Sequence, residues 1–175
     1  MASGLSTRFG SNKLLAPFDG QPLLYRAFAA TDTPQLSVRI VVTRSAQVQA
    51  LCKAQGVPVL LHALPGRNDT VRLGLSALLA QHPELTGCMF LPGDQPLLRR
   101  ATVDQLLTAF AQTQKETERV IFRLGAPAGN GPDPLVGSPV LFSNGFFPEL
   151  LTLPEGKGGS VLLHKYPCLL YTSPS

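Results

Sequence analysis

Short apolar runs alternate with longer amphipathic stretches along the chain. Residues 38–43 are rich in β-branched side chains, which is typical of a strand, and residues 46–54 have the spacing of a helix. The same alternation predicts strands at 57–61, 88–91 and 120–122 and helices at 70–79 and 103–110. Because strands alternating with helices favour βαβ units, we predict an α/β fold: a Rossmann-like, mostly parallel sheet with helices on both faces.

The composition indicates one compact domain. A chain of 175 residues with 44% hydrophobic content can bury a single core, and no apolar run is long enough to span a bilayer, so we expect no membrane partner. The net charge of +4 comes from scattered cations without a Lys/Arg run, which argues against a nucleic-acid partner. Cys52, Cys88 and Cys168 have neither metal-ligand spacing nor an even count, and no secretory leader is evident, so we expect a cytoplasmic protein.

The N-terminal segment carries the most distinctive chemistry. Gly4 and Gly10 allow a backbone to approach an anion closely, and Arg8 and Lys13 supply positive charge, which suits a polyphosphate. The segment is not a P-loop, because five residues separate the two glycines and Leu14 follows Lys13. A surface turn with two solvated cations explains the same residues, and the segment alone leaves both interpretations open.

Asp94 is the candidate metal ligand. It follows the predicted strand at 88–91, and ligands of open α/β sheets bind beyond the carboxyl ends of strands. Mg²⁺ needs few protein carboxylates, because it keeps waters and phosphate oxygens as its other ligands. A simple Pro-Gly-Asp turn is the alternative. The three histidines, His62, His82 and His164, are isolated from one another and are interpreted as ordinary surface or packing residues.

Four segments, in order, resemble the signatures of the MobA-like nucleotidyltransferases. They are ASGLSTRFGSNKLL with PFDGQPLL within 2–24, LPGDQPL at 91–97, GSPVLF at 137–142 and FPEL at 147–150. The GDQP form together with Lys-Leu-Leu is similar to the molybdenum cofactor cytidylyltransferase branch. The resemblance implies a nucleotide-diphospho-sugar transferase-like fold.

The resemblance also implies a reaction, in which a phosphate of a molybdopterin-type cofactor attacks the α-phosphate of CTP (or GTP) with Mg²⁺ present, and pyrophosphate leaves. Arg8, Lys13 and Asp94 are the implied catalytic residues, and Asp94 also binds the metal. A molybdoenzyme or its chaperone is a further implied partner. The implied nucleotide-binding residues are Ala2, Ser3, Gly4, Leu5, Ser6, Arg8, Lys13, Asn68, Asp69 and Thr70.

Three details qualify the implied roles. Asn68, Asp69 and Thr70 would also make a good helix N-cap, and both roles stay open. Ser138, at a position where the family has His, is expected to contact the acceptor phosphate. In the segment 156–160, Lys157 stands at a family aspartate, which reverses the charge and leaves the acceptor undecided.

Both chain ends differ from the family pattern. The family's first strand, expected before Ala2, is missing, and residues 168–175 resemble a translated sequencing adapter. We therefore expect a domain over 1–167 that lacks its central first strand and a C-terminal segment with the second metal ligand, followed by a non-native tail. Two other functions remain open: another small nucleotidyltransferase, guanylyl or sugar-phosphate, and a non-catalytic nucleotide-binding fragment.

Overall fold

The computed structural model describes residues 12–126, 131 and 135–172, and its elements alternate as the sequence predicts. The helices of this part are α1 Leu24–Ala30, α2 Ala46–Ala54, α3 Arg67–Gln81, α4 Arg100–Gln114, α5 Phe147–Leu151 and α6 Ser160–Lys165. Its strands are β1 Pro17–Phe18, β2 Gln21–Pro22, β3 Val41–Thr43, β4 Val59–Leu61, β5 Gly87–Phe90, β6 Ile121–Ala126, β7 Leu135–Ser143 and β8 Leu169–Thr172. None of the described helices is long and apolar enough to cross a membrane.

The strands form a mixed arrangement of parallel and antiparallel pairs. Strands β3 and β4 are a parallel pair, and a second sheet has the order β5–β7–β6–β8. In that sheet β5 and β6 are both antiparallel to β7, and β8 is parallel to β6, so β7 runs against its three companions. Helices α2 and α3 connect β3 to β4 and β4 to β5, as crossover helices do in parallel sheets. The predicted α/β fold is confirmed.

Helices cover both faces of the four-stranded sheet. On β7, Leu141 packs in a buried cluster with side chains of α4, whereas its neighbour Phe142 packs in a cluster with side chains of α3, α5 and α6. On β6, Phe122 joins the first cluster and Ile121 the second. Because successive side chains of a strand point to opposite faces, α3 and α4 lie on opposite faces of the sheet, as predicted.

A cavity of about 450 Å³ lies between β3 and β5. Apolar side chains from three helices form much of its wall: Leu24 and Phe28 of α1, Leu75 and Leu78 of α3, and Leu107 and Phe110 of α4. That the domain lacks its central first strand stays a prediction.

Several elements differ in extent from the sequence-based expectations; β3, for example, begins at Val41 and α4 at Arg100. Helix α3 begins at Arg67, three residues before its predicted start, because the extended Gly66 (φ −82°, ψ 148°) is the N-cap. Residues Leu169–Thr172, which the sequence analysis leaves out of the fold, form β8 and pair with β6 from Phe122 onwards. Backbone pairing needs no particular side chain, so composition did not reveal this strand. The proposed boundary at 167 and the non-native character of 168–175 stay predictions.

Truncation of Leu106 tests the α4 cluster. Leu106 is 0% exposed, so Leu106→Ala leaves a cavity and is expected to lower the free energy of unfolding by about 2–5 kcal/mol. Leu97→Ala deletes the same atoms from a side chain that is 84% exposed, and we expect a change within about 0.5 kcal/mol. Urea unfolding of the two variants measures the difference, and equal losses would contradict this core assignment.

Candidate functional site

Side chains that follow β3, β4 and β5 define the candidate site. Because Thr43 of β3 pairs with Leu61 of β4, the next residues, Arg44 and His62, leave the strands side by side. The N–H of His62 donates to the carbonyl of Thr43 at 3.0 Å, so the pairing of the two strands continues to their carboxyl ends. Helix α3 then connects β4 to β5, and Asp94 lies in the segment that follows β5.

Lys13 and Asp94, two of the predicted site residues, are in contact. Lys13 Nζ lies 3.2 Å from Asp94 Oδ2, and the two residues are 81 positions apart in the chain. Both side chains are about half exposed, at 48% for Lys13 and 42% for Asp94. The fold therefore places a cation and a carboxylate together where solvent and a ligand can reach them.

Close backbone packing produces this contact. Asn12 begins the 3-10 helix Lys13–Leu15, and its side-chain oxygen accepts a hydrogen bond from the N–H of Leu14 at 3.1 Å. The buried side chain of Leu14 lies against Gly93, where an added Cβ would be 3.1 Å from Leu14 Cδ2. Glycine at position 93 thus lets the turn before Asp94 approach the segment that carries the lysine.

The start of α3 corrects the predicted helix cap. The N-cap is Gly66, rather than Asn68, Asp69 or Thr70, because the helix begins earlier than its apolar spacing indicates. Asp69 stabilises the first turn from inside the helix by accepting a hydrogen bond from the N–H of Gly66 at 3.1 Å. Thr70 is buried, and its hydroxyl lies 3.3 Å from Nε2 of His62. This first turn therefore lies beside the residues that follow β4.

Sequence reasoning did not single out Arg44 and His62 as candidate site residues. The pocket beside them measures about 560 Å³ and is lined by Arg44, Ala46, Leu61, His62 and Ala63. Burial and the positive charge of Arg44 lower the pKa of His62 below its ordinary value of 6.5, and Asp69 opposes this in part. A position directly after a predicted parallel strand was the available signal. This signal was not used, because the histidines are isolated from one another in the sequence.

The glycine-rich segment at 156–159 lies against the start of α3. The N–H of Gly156 donates to Asn68 Oδ1 at 2.9 Å. An added Cβ at Gly158 would be 3.8 Å from the Cβ of Arg67. Lys157, which stands where the family pattern has an aspartate, therefore belongs to a loop that is held at the amino-terminal end of α3.

Ser138 lies at the same sheet edge as Asp94. Phe90 of β5 pairs with Val140 of β7, and the two strands are antiparallel. Ser138 precedes Val140, so it lies beyond the carboxyl end of β5, on the side where the turn to Asp94 begins. Within the described ranges, no hydrogen bond joins Ser138 to Lys13 or Asp94.

The remaining predicted site residues lie outside the described residues. They are Ala2, Ser3, Gly4, Leu5, Ser6 and Arg8. Their roles stay predictions.

The donor set suits a divalent ion that also has ligands from the substrate. Among residues 12–126, 131 and 135–172, no group of three or more His, Cys, Asp and Glu side chains could hold a metal. Asp94 offers a single accessible carboxylate beside Lys13. One carboxylate fits Mg²⁺ bound together with waters and phosphate oxygens, and does not fit a metal enclosed by protein ligands alone.

A family model and several curated relatives match the chain. The model is described as "MobA-like NTP transferase domain" and matches residues 1–169. The bifunctional protein GlmU of Thermobifida fusca is 33% identical over 139 residues, covering 75% of this chain and 29% of GlmU. A probable molybdenum cofactor guanylyltransferase of Pyrococcus horikoshii is 25% identical over 115 residues, covering 66% of this chain and 56% of the relative. The chain thus spans less than two thirds of each of these relatives.

A solved structure shares the fold over nearly the whole chain. Rv0371c of Mycobacterium tuberculosis superimposes with a TM-score of 0.81 at 24% identity, covering 98% of this chain and 85% of that one. A structure of the same protein in complex with manganese gives a TM-score of 0.74 at 23% identity, covering 98% of this chain and 84% of that one. These likenesses confirm the predicted fold.

The pKa of His62 provides a test of the site's electrostatics. Arg44→Gln removes the positive charge that lowers this pKa, so the pKa is expected to rise towards 6.5. NMR titration of the His62 ring measures the shift, and Arg26→Gln, an exposed cation paired with Asp19, is the control.

The lowered pKa also fixes the sign of a stability effect. The folded protein favours neutral His62. The contribution of this residue to the free energy of unfolding is therefore fully present above pH 6.5, and it is lost as the pH falls through the lower pKa of the folded state. A His62 pKa at or above 6.5 in the wild-type protein, or an equal shift in both variants, would contradict this account.

Proposed function

Since the chain belongs to the MobA-like NTP transferase family, we propose that it is a cytoplasmic, magnesium-dependent nucleotidyltransferase that transfers CMP from CTP to a phosphate of a molybdopterin-type cofactor. Pyrophosphate is the second product. The family match supports the broader activity, nucleotidyl transfer. The base and the acceptor are part of the proposal.

The contact between Lys13 and Asp94 is the observation that carries the proposal. Nucleotidyl transfer needs positive charge on the phosphates and a carboxylate for the metal, and both groups lie at the carboxyl end of β5. A purely structural ion pair would explain the contact less well, because exposed pairs contribute only about 0–1 kcal/mol to stability.

The proposed reaction is an in-line displacement at phosphorus. An oxygen of the acceptor phosphate attacks the α-phosphorus of CTP, a new P–O bond forms, and the bond to the β-phosphate oxygen breaks. No side-chain nucleophile is required. Lys13 neutralises charge on the triphosphate, and Arg8 is proposed to stabilise the pyrophosphate as it leaves. A divalent ion held by Asp94 would supply further neutralisation of the phosphate oxygens.

The other candidate residues receive roles that are part of the proposal. The pocket beside Arg44 and His62 combines an apolar wall with a cation, a combination that suits a planar base. Asn68 to Thr70 form the first turn of α3, whose N-terminus favours an anion such as phosphate. Ser138 can donate to the acceptor phosphate from β7. The segment Ala2 to Ser6 is proposed to wrap the triphosphate.

The relatives support nucleotide and metal binding in general terms. The name of the Pyrococcus relative supports a molybdenum cofactor acceptor and also favours GTP as the alternative nucleotide. The manganese complex of Rv0371c supports a divalent ion at this fold. We propose magnesium for this chain, with a molybdoenzyme or its chaperone as the recipient of the product.

A second candidate is another small nucleotidyltransferase, guanylyl or sugar-phosphate. The family match favours keeping this possibility, since it names neither a base nor an acceptor. The third candidate, a non-catalytic nucleotide-binding fragment, predicts binding without turnover whichever acceptor is supplied.

Substrate preference separates these candidates. With the molybdenum pterin as acceptor, we expect magnesium-dependent pyrophosphate release to be faster with CTP than with GTP or ATP. A preference for GTP would select the guanylyl enzyme, and release only with a sugar phosphate would select the sugar-phosphate enzyme. Nucleotide binding without release in every combination would leave the non-catalytic fragment.

Lys13 is expected to be essential for turnover. Lys13→Ala removes a charge from the triphosphate in the transition state and should lower kcat/KM by about 100-fold or more, by analogy with other transition-state donors. Lys53→Ala, on the exposed side of α2, is the matched control and should retain wild-type turnover. Full turnover of the Lys13 variant would remove this residue from the mechanism.

A further inference from the structure

The ammonium group of Lys13 stands beside the carboxylate oxygen that the proposed function gives to the metal. Lys13 Nζ is 3.2 Å from Asp94 Oδ2, within ion-pair distance. Lys13 precedes Leu14, whose buried side chain packs against Gly93. The backbone of Lys13 is therefore held close to the segment that carries Asp94. The same carboxylate thus has two candidate cationic partners.

We propose that Lys13 and a divalent cation compete for Asp94, so that the protein takes up the nucleotide as its metal complex and holds the metal only weakly without it. This inference rests on the proposed function. A bound triphosphate would end the competition. Its phosphate oxygens would give the ammonium group of Lys13 a new anionic partner, and other phosphate oxygens would serve as ligands of the metal. Nucleotide and metal then favour each other's binding, as linkage requires.

Geometry allows this exchange without unfolding any packed element. Both side chains are about half exposed, so neither leaves a buried environment when the pair separates. Lysine carries a compact charge on a flexible four-carbon stem, so its ammonium can turn from a carboxylate to a nearby phosphate while Leu14 stays in the core. Asp94 remains fixed in the turn after β5.

The strength of the exposed pair sets the size of the effect. Ion pairs of this kind alter equilibria by up to about fivefold, and a divalent cation must displace this interaction to reach Asp94. Removing the charge of Lys13 is therefore expected to tighten metal binding in the absence of nucleotide. If Lys13 did not compete with the metal, its removal would leave the metal affinity unchanged.

The test is a titration of the full chain with Mn²⁺ alone, in which free Mn²⁺ is measured by electron paramagnetic resonance. Lys13→Met is expected to bind Mn²⁺ about two- to fivefold more tightly than the wild-type protein. Lys13→Arg keeps the charge and should restore the weak binding. Asp94→Asn should abolish binding at this site in either background. Lys13→Gln repeats the charge removal if the methionine variant fails to fold.

A charge-matched control separates competition from a general loss of positive charge. Arg100→Met removes a cation at the start of α4 whose partner is Asp104 rather than Asp94. It should change Mn²⁺ affinity less than Lys13→Met does. Equal Mn²⁺ affinity of wild-type, Lys13→Met and Lys13→Gln proteins, an equal gain with Arg100→Met, or full binding by Asp94→Asn would overturn the proposal.

The outcomes also distinguish this inference from the proposed function. The Mn²⁺ titrations need no turnover, so the competition is supported or overturned whether or not any acceptor is found. If the lysine variants bind Mn²⁺ more tightly but no nucleotide is ever consumed, the proposed function fails alone. If CTP is consumed but Mn²⁺ affinity is independent of Lys13, the competition fails alone.

Discussion

The layered structure depends on one backbone constraint: neighbouring residues of a strand point to opposite faces of the sheet. On β7, Leu141 and Phe142 serve two different buried clusters, one shared with α4 and the other with α3, α5 and α6. Both side chains are 2% exposed, so a slip of one residue would move each into the wrong cluster. This register fixes α3 and α4 on opposite faces and, with them, the loops at the carboxyl end of the sheet.

The candidate site uses this scaffold and contributes little to its stability. The Lys13–Asp94 pair is half exposed, and such pairs are worth at most about 1 kcal/mol. The packing beneath it is buried: Leu14 is 6% exposed and lies against Gly93. Buried apolar contacts thus hold the backbone, while the charged groups above them remain available for a ligand. This division between packing and chemistry is what allows a charge to change partners without disturbing the fold.

Much of the fold was predictable from periodicity, whereas element ends were not. Apolar spacing revealed the strand that became β5, whose residues are half-buried, and the helices that became α2, α3 and α4, because burial leaves a pattern in the sequence. The start of α3 at Arg67 depends on the extended backbone of Gly66, which spacing does not record. The strand β8 depends on backbone pairing with β6, which any side chain permits.

The sequence by itself determined the α/β class, the family signatures and the candidacy of Lys13 and Asp94, since these follow from local periodicity, residue type and order along the chain. Only the tertiary structure decided which of these residues meet. The contact between Lys13 and Asp94 joins positions 81 residues apart, and Arg44 and His62 become neighbours through the β3–β4 register. Register and crossover are set by the burial of whole faces rather than by any short segment, and so they appear only when the chain is folded.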